Sequence, residues 1–111
     1  MSEWTVVYTE QAERDLRSIF EYIAFSLLEP EVAKNQSQRI MDAVAKLDEM
    51  PLRYHLYEKE PWHSKGLRVL PIGNFLAFYL PVEAKMTVAV IRIMYGGRNI
   101  EEQLRQTEAG G

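Results

Sequence analysis

The 111 residues contain no cysteine. That excludes a disulfide framework, a thiolate metal site and a cysteine nucleophile. Histidine is nearly absent too. His55 and His63 stand alone, without carboxylates at ligand spacing, so no metal site is expected. No run approaches the ~18 uninterrupted apolar residues of a membrane span. The opening MSEWTVVYTEQAERD lacks the basic start and apolar core of a secretory signal. A cytoplasmic protein without a membrane partner is expected. No glycine-rich loop joins a strand to a helix. Gly96-Gly97 follows a strand but enters a polar turn, so no cofactor is expected.

A basic excess is also missing. The net charge is −3, whereas proteins that grip nucleic acid by its phosphates carry a positive excess. The charge is unevenly spread. Residues 1–50 hold five bases against ten acids; residues 51–105 hold eight bases against five acids. A mildly basic second half suits either an acidic partner or an ordinary mixed surface.

What is present fits one domain over residues 1–108, with a frayed tail at 109–111. Trp4 to Tyr8 is rich in β-formers and reads as a strand. Thr9 caps a helix predicted from about Glu10 to Ser26. Its apolar stripe is Ala12, Leu16, Ile19, Phe20, Ile23 and Leu27. Pro30 suits the first turn of a second helix, which Met50-Pro51 ends. The short link predicts an antiparallel helical hairpin. Residues 52–65 show no period and read as an ordered loop or irregular strand anchored by Tyr54, Tyr57 and Trp62. Three strands follow: Leu67–Ile72, Phe75–Val82 and Thr87–Met94. Gly73-Asn74 is a hairpin signal. The last strand is apolar on both faces except at Arg92 and is expected to be central. Ile100–Thr107 reads as a short closing helix. The class is α+β, ordered β-α-α-β-β-β(-α): an antiparallel sheet with a helical hairpin packed on one face, the other face partly open.

Three stretches carry a family resemblance: YTEQAERDLRSIFEYIA, GLRVLPIGNFLAFY and VIRIMYGGRN. Their order and spacing resemble the RelE/ParE superfamily of type II toxin-antitoxin toxins, over roughly Trp4 to Leu104, closer to ParE-like than to RelE-like members. The resemblance implies a cognate antitoxin as partner, with operator DNA met only through that antitoxin. It implies one of two targets: DNA gyrase for ParE-like members, or the ribosome and its mRNA for RelE-like endonucleases.

The nuclease needs a fixed cation for the charged phosphate transition state and an acid for the leaving oxygen. RelE-type members supply an arginine just after the aromatic that opens the penultimate strand. Here Leu76 follows Phe75, which favours the gyrase reading. The residues left for a metal-independent nuclease are Arg68, Tyr95 and Arg98, with His63 as a further acid or base. Arg68, Arg92, Tyr95 and Arg98 are the expected target contacts. Antitoxin contacts are expected at Phe25 and Leu28 near a helix end, and at Phe78 and Leu80 on the open sheet face. A member that binds its antitoxin without being toxic is the third reading.

Overall fold

The first helix starts where Thr9 turns its hydroxyl back on the chain and accepts the Ala12 N–H at 3.2 Å. In the computed structural model, which describes residues 3–97 and 99–107, it follows directly on the first strand. The elements are β1 (Thr5–Tyr8), α1 (Glu10–Glu21), α2 (Pro30–Ala45), α3 (Trp62–Lys65), β2 (Arg68–Ile72), β3 (Phe75–Val82), β4 (Thr87–Tyr95) and α4 (Ile100–Arg105). Pro30 opens α2 as its sequence position predicts. The α+β class and the element order hold.

The sheet runs β1-β4-β3-β2, so β4 is central, as its two apolar faces require. The strands β2, β3 and β4 pair antiparallel, with a tight turn at Gly73, whose φ is +59°. β1 departs from the expected antiparallel sheet and lies parallel to β4. Parallel neighbours need a long connection, and the whole helical hairpin and two strands separate them in sequence.

β1 stops opposite Val90, so the rest of β4 has no strand on that side. Side chains of the α1 region take its place. Thr9 Oγ1 donates to the Ile91 carbonyl at 3.3 Å, and Asp15 accepts the Ile93 N–H at 2.9 Å. The β3–β4 register skips Ile91. This bulge changes which side chains β4 sends to each face. Val88, Val90 and Ile93 pack under the helical hairpin, while Ile91 and Met94 join the opposite face.

That opposite face is covered, which corrects the expectation of an open one. Trp62, Leu67, Phe78, Ile91, Met94 and Leu104 form a second buried cluster there. Residues 54–67 supply much of the cover. Tyr57 N–H donates to the Leu67 carbonyl and Val69 N–H to the His55 carbonyl, so the segment runs beside β2 as an irregular strand. It then forms α3, a helix that sequence periodicity did not show. Phe78 is 1% exposed and meets Tyr57 edge-on at 5.8 Å. It is therefore no surface contact; Leu80 is half-buried against the same cluster.

Tyr79 crosses the hairpin side of the sheet, fully buried, and its hydroxyl donates to the Pro51 carbonyl. Burial pushes this phenol up to about 12 from its ordinary 10.0. The folded state thus holds the proton more tightly than the unfolded chain does. Stability is complete below about pH 10 and falls as the pH rises toward 12. Tyr79→Phe is expected to flatten that alkaline loss and to cost about 1–3 kcal/mol at neutral pH, by orphaning the Pro51 carbonyl. Urea unfolding at pH 7 and pH 11 checks both; equal alkaline slopes in the two proteins would refute the assignment.

Candidate functional site

α1 does not continue to Ser26 as a regular helix. From Tyr22 to Ser26 the backbone widens into one π-turn, closed by Leu27 N–H on the Tyr22 carbonyl at 3.0 Å. Such turns change which side chains face out, and they are frequent at functional sites. Ala24 alone is buried within it. Tyr22, Phe25 and Leu27 are all more than half exposed, against the expectation that Leu27 belongs to the buried stripe. Phe20 also departs from the full burial expected of the stripe and is only half-buried.

Leu28 follows with φ +57° and 78% exposure. An exposed leucine in left-handed backbone breaks two local rules at once. The conformation costs a residue with a Cβ about 1–2 kcal/mol, and glycine or asparagine would be the usual occupant. Met50, at φ +50° and 70% exposed, breaks the same two rules away from the groove.

Of these side chains, Tyr22 and Leu27 line an open groove of about 750 Å³, while Phe25 and Leu28 stand outside it on the same turn. One wall is α1 and the start of α2, with Ile19, Ile23 and Val32. The other is the paired ends of β3 and β4, where Phe75 and Tyr95 stack edge-to-face at 5.1 Å. Asp15 and Gln103 also line it. Asp15 is 8% and Arg92 9% exposed. Arg92 Nε and Nη2 donate to the Asp15 carboxylate at 2.7 and 3.0 Å, and Arg92 Nη1 donates to the Gln103 carbonyl and Thr107 Oγ1. One guanidinium thus ties α1, β4 and the end of α4 together. Asp15 was readable in part: it lies three residues beyond Ala12, a carboxylate on the apolar stripe.

The expected basic site does not assemble. Arg92 is committed to Asp15, which corrects its reading as a target contact: its charge is buried and neutralised inside the fold. Arg68 is half-buried, and its Nη1 donates to the Leu52 and Tyr54 carbonyls at 3.0 and 2.6 Å. It clamps residues 52–54 onto β2. Tyr95 is half exposed at the groove. Arg68 pairs with Tyr79 and Tyr95 with Phe75. Four residues of β3 separate those registers, ~13 Å along the strand, so Arg68 and Tyr95 do not share one site. His63 lies on α3, 3.8 Å from the Glu60 carboxylate, and is no part of the groove. Arg98 falls outside the described residues. Phe25 and Leu28 are where the sequence placed them, exposed beside a helix end; Tyr22, Leu27 and Val32 join them unforeseen. Among the described residues no three potential ligands group around a metal position, and no helix is long and apolar enough to cross a membrane.

A helical hairpin packed on one face of a mixed four-stranded sheet is also the fold of solved chains from toxin-antitoxin systems. The solved chromosomal ParDE toxin-antitoxin system of P. aeruginosa contains a similar chain at TM-score 0.71 and 24% identity, covering 85% of this chain and 97% of that one. A chain of the RelBE2 toxin-antitoxin complex from Mycobacterium tuberculosis matches at TM-score 0.61 and 20% identity, covering 84% and 98%. An arginine double mutant of the E. coli toxin RelE in the free state matches at 0.60 and 13%, covering 96% and 98%. These likenesses show the fold alone. No curated relative matches the chain. The family model for the ParE toxin of the type II toxin-antitoxin system parDE matches residues 6–100, and the chain belongs to that family.

Proposed function

We propose that this chain poisons DNA gyrase and is silenced by an antitoxin segment seated in the groove at Tyr22, Leu27 and Tyr95 and reaching Phe25 and Leu28 on the adjacent turn. Membership of the ParE toxin family makes a cognate antitoxin the partner. One observation carries the choice of target: Arg92, a candidate cation, is spent on Asp15 inside the fold, and Arg68 holds the Leu52 and Tyr54 carbonyls away from Tyr95. A nuclease needs a fixed cation to stabilise the phosphorane charge, and neither of these two arginines is free to supply it. Leu76 at the position after Phe75 points the same way. The protein then acts by binding, and its antitoxin competes for or distorts the binding surface.

The groove suits a helix or extended segment with apolar anchors, because its exposed rim is aromatic and aliphatic. Purified chain added to gyrase is expected to inhibit supercoiling and to raise the yield of cleaved DNA, with antitoxin reversing both. Unchanged gyrase at saturating chain, together with cleavage of mRNA on programmed ribosomes, would overturn the gyrase assignment. Silence in both assays by folded protein would favour a binding-only member.

A further inference from the structure

The groove reaches the β2–β3 turn, and a second depression begins there. Gln36 and Asn74 line the groove; their chain neighbours Asn35 and Gly73 line an open dent of about 550 Å³. One wall of the dent is α2, with Arg39, Asp42 and, just past its last residue, Lys46. Pro71 and Gly73 form the other. Arg39 and Lys46 are both exposed, and neither takes part in an ion pair among the described residues. A local partner is present but unused. Asp42 stands three residues after Arg39 and four before Lys46, the two spacings at which helical side chains meet. Its carboxylate instead accepts the Gln38 side-chain amide at 2.8 Å. The Arg39 guanidinium lies over the turn, so close that a Cβ on Gly73 would meet Nη1 at 2.9 Å. Glycine leaves the room that this arginine occupies.

We infer, on the footing that the groove seats the antitoxin, that the same antitoxin segment continues past the β2–β3 turn and lays an acidic stretch against Arg39 and Lys46. Charge and continuity together select that occupant. The two exposed cations stand about 10 Å apart along α2, and carboxylates are their complement. Exposed ion pairs are weak alone. Here the groove already holds the chain next door, so the dent is filled by a tethered segment at high effective concentration, and weak contacts add to its hold. Pro71 has no N–H to offer an added strand, so side chains and not strand pairing do the recognising at this edge. Nucleic acid is the poorer fit. The dent sets the Asp42 carboxylate between its two cations, and residues 1–50 hold ten acids against five bases. That is too little positive charge to grip a phosphate backbone.

The test is calorimetric titration of the full chain with the cognate antitoxin at low and at high salt. Arg39→Gln combined with Lys46→Gln is expected to weaken binding about fivefold to tenfold at low salt, the scale of two exposed ion pairs. The difference is expected to close at high salt, where exposed charges are screened. Asp42→Asn removes the competing carboxylate and is expected to tighten binding about twofold to threefold at low salt. Arg14→Gln combined with Arg17→Gln makes the same change of net charge at exposed positions of α1 that line neither depression. It is expected to leave affinity within about twofold. Equal weakening in that control would reduce the effect to net charge and overturn the proposal. Unchanged affinity on Arg39→Gln with Lys46→Gln, while Phe25→Glu with Leu28→Glu loses binding, overturns the acidic contact alone. Unchanged affinity in both pairs overturns the groove reading and the acidic contact together. Binding of mixed-sequence duplex DNA by the free chain, lost on Arg39→Gln with Lys46→Gln, would assign the dent to phosphate and overturn its acidic occupant. Thermal unfolding of each variant confirms that the fold is kept.

Discussion

Arg92→Ala is expected to destabilise the protein by about 3–5 kcal/mol, because it leaves the Asp15 carboxylate buried without its cation. The Asp15 carboxylate accepts from both Arg92 donors, from Ile93 N–H and from the Gln11 side chain at 3.1 Å. Those bonds were geared to an ionised acid facing a guanidinium. Against a total stability of about 5–15 kcal/mol for a domain of ordinary size, the loss leaves a marginal fold. Arg92→Lys keeps the charge but cannot form the two-pronged contact or hold Gln103 and Thr107 together, so an intermediate loss is expected. Replacing both partners by apolar residues, Asp15→Leu with Arg92→Met, is expected to recover part of the stability despite the lost Ile93 contact, since a buried pair is costly to desolvate. Urea midpoints of the four proteins decide. A loss below about 1 kcal/mol for Arg92→Ala would show the pair to be dispensable. Loss of toxicity in Arg92 variants is accordingly expected to follow loss of fold, and not loss of a target contact.

Phe25→Glu combined with Leu28→Glu is expected to weaken antitoxin binding by about a hundredfold or more, the usual scale for two interface anchors. Folding stability is expected to change by less than about 0.5 kcal/mol, since both side chains are exposed. Leu28→Gly separates the two terms. It relieves the positive φ and is expected to raise stability by about 0.5–1 kcal/mol after glycine's own entropic cost. It also removes an anchor, so affinity is expected to fall as stability rises. Calorimetric titration with the cognate antitoxin and thermal unfolding of the free chain measure the two sides. Unchanged affinity in the double variant would place the antitoxin elsewhere, and lower stability in Leu28→Gly would show the strain reading to be mistaken.

Much of this protein is local chemistry. Thr9, Pro30 and Gly73 mark their boundaries by capping, fixed φ and permitted positive φ, and each does so in the structure. The doubly apolar β4 announces a central strand because both its faces must be buried. The exposed Phe25 and Leu28 were legible as apolar residues just beyond a helical stripe. These signals rest on a residue and its near neighbours, so the order of the chain alone carries them.

The rest depended on contacts between distant segments. Asp15 and Arg92 are 77 positions apart, and neither sequence neighbourhood reveals that one needs the other. Phe78 alternates like a surface strand residue, but α4 and residues 54–67 fold over it. The π-turn depends on how the helix end seats against α2, and the parallel pairing of β1 on where the hairpin returns the chain. Sequence alone thus determined the class, the element order and the family kinship, because propensity and periodicity act within a few residues. Tertiary structure alone decided that Arg92 and Arg68 are committed inside the fold and which face is covered, because burial and charge pairing are settled across the whole chain.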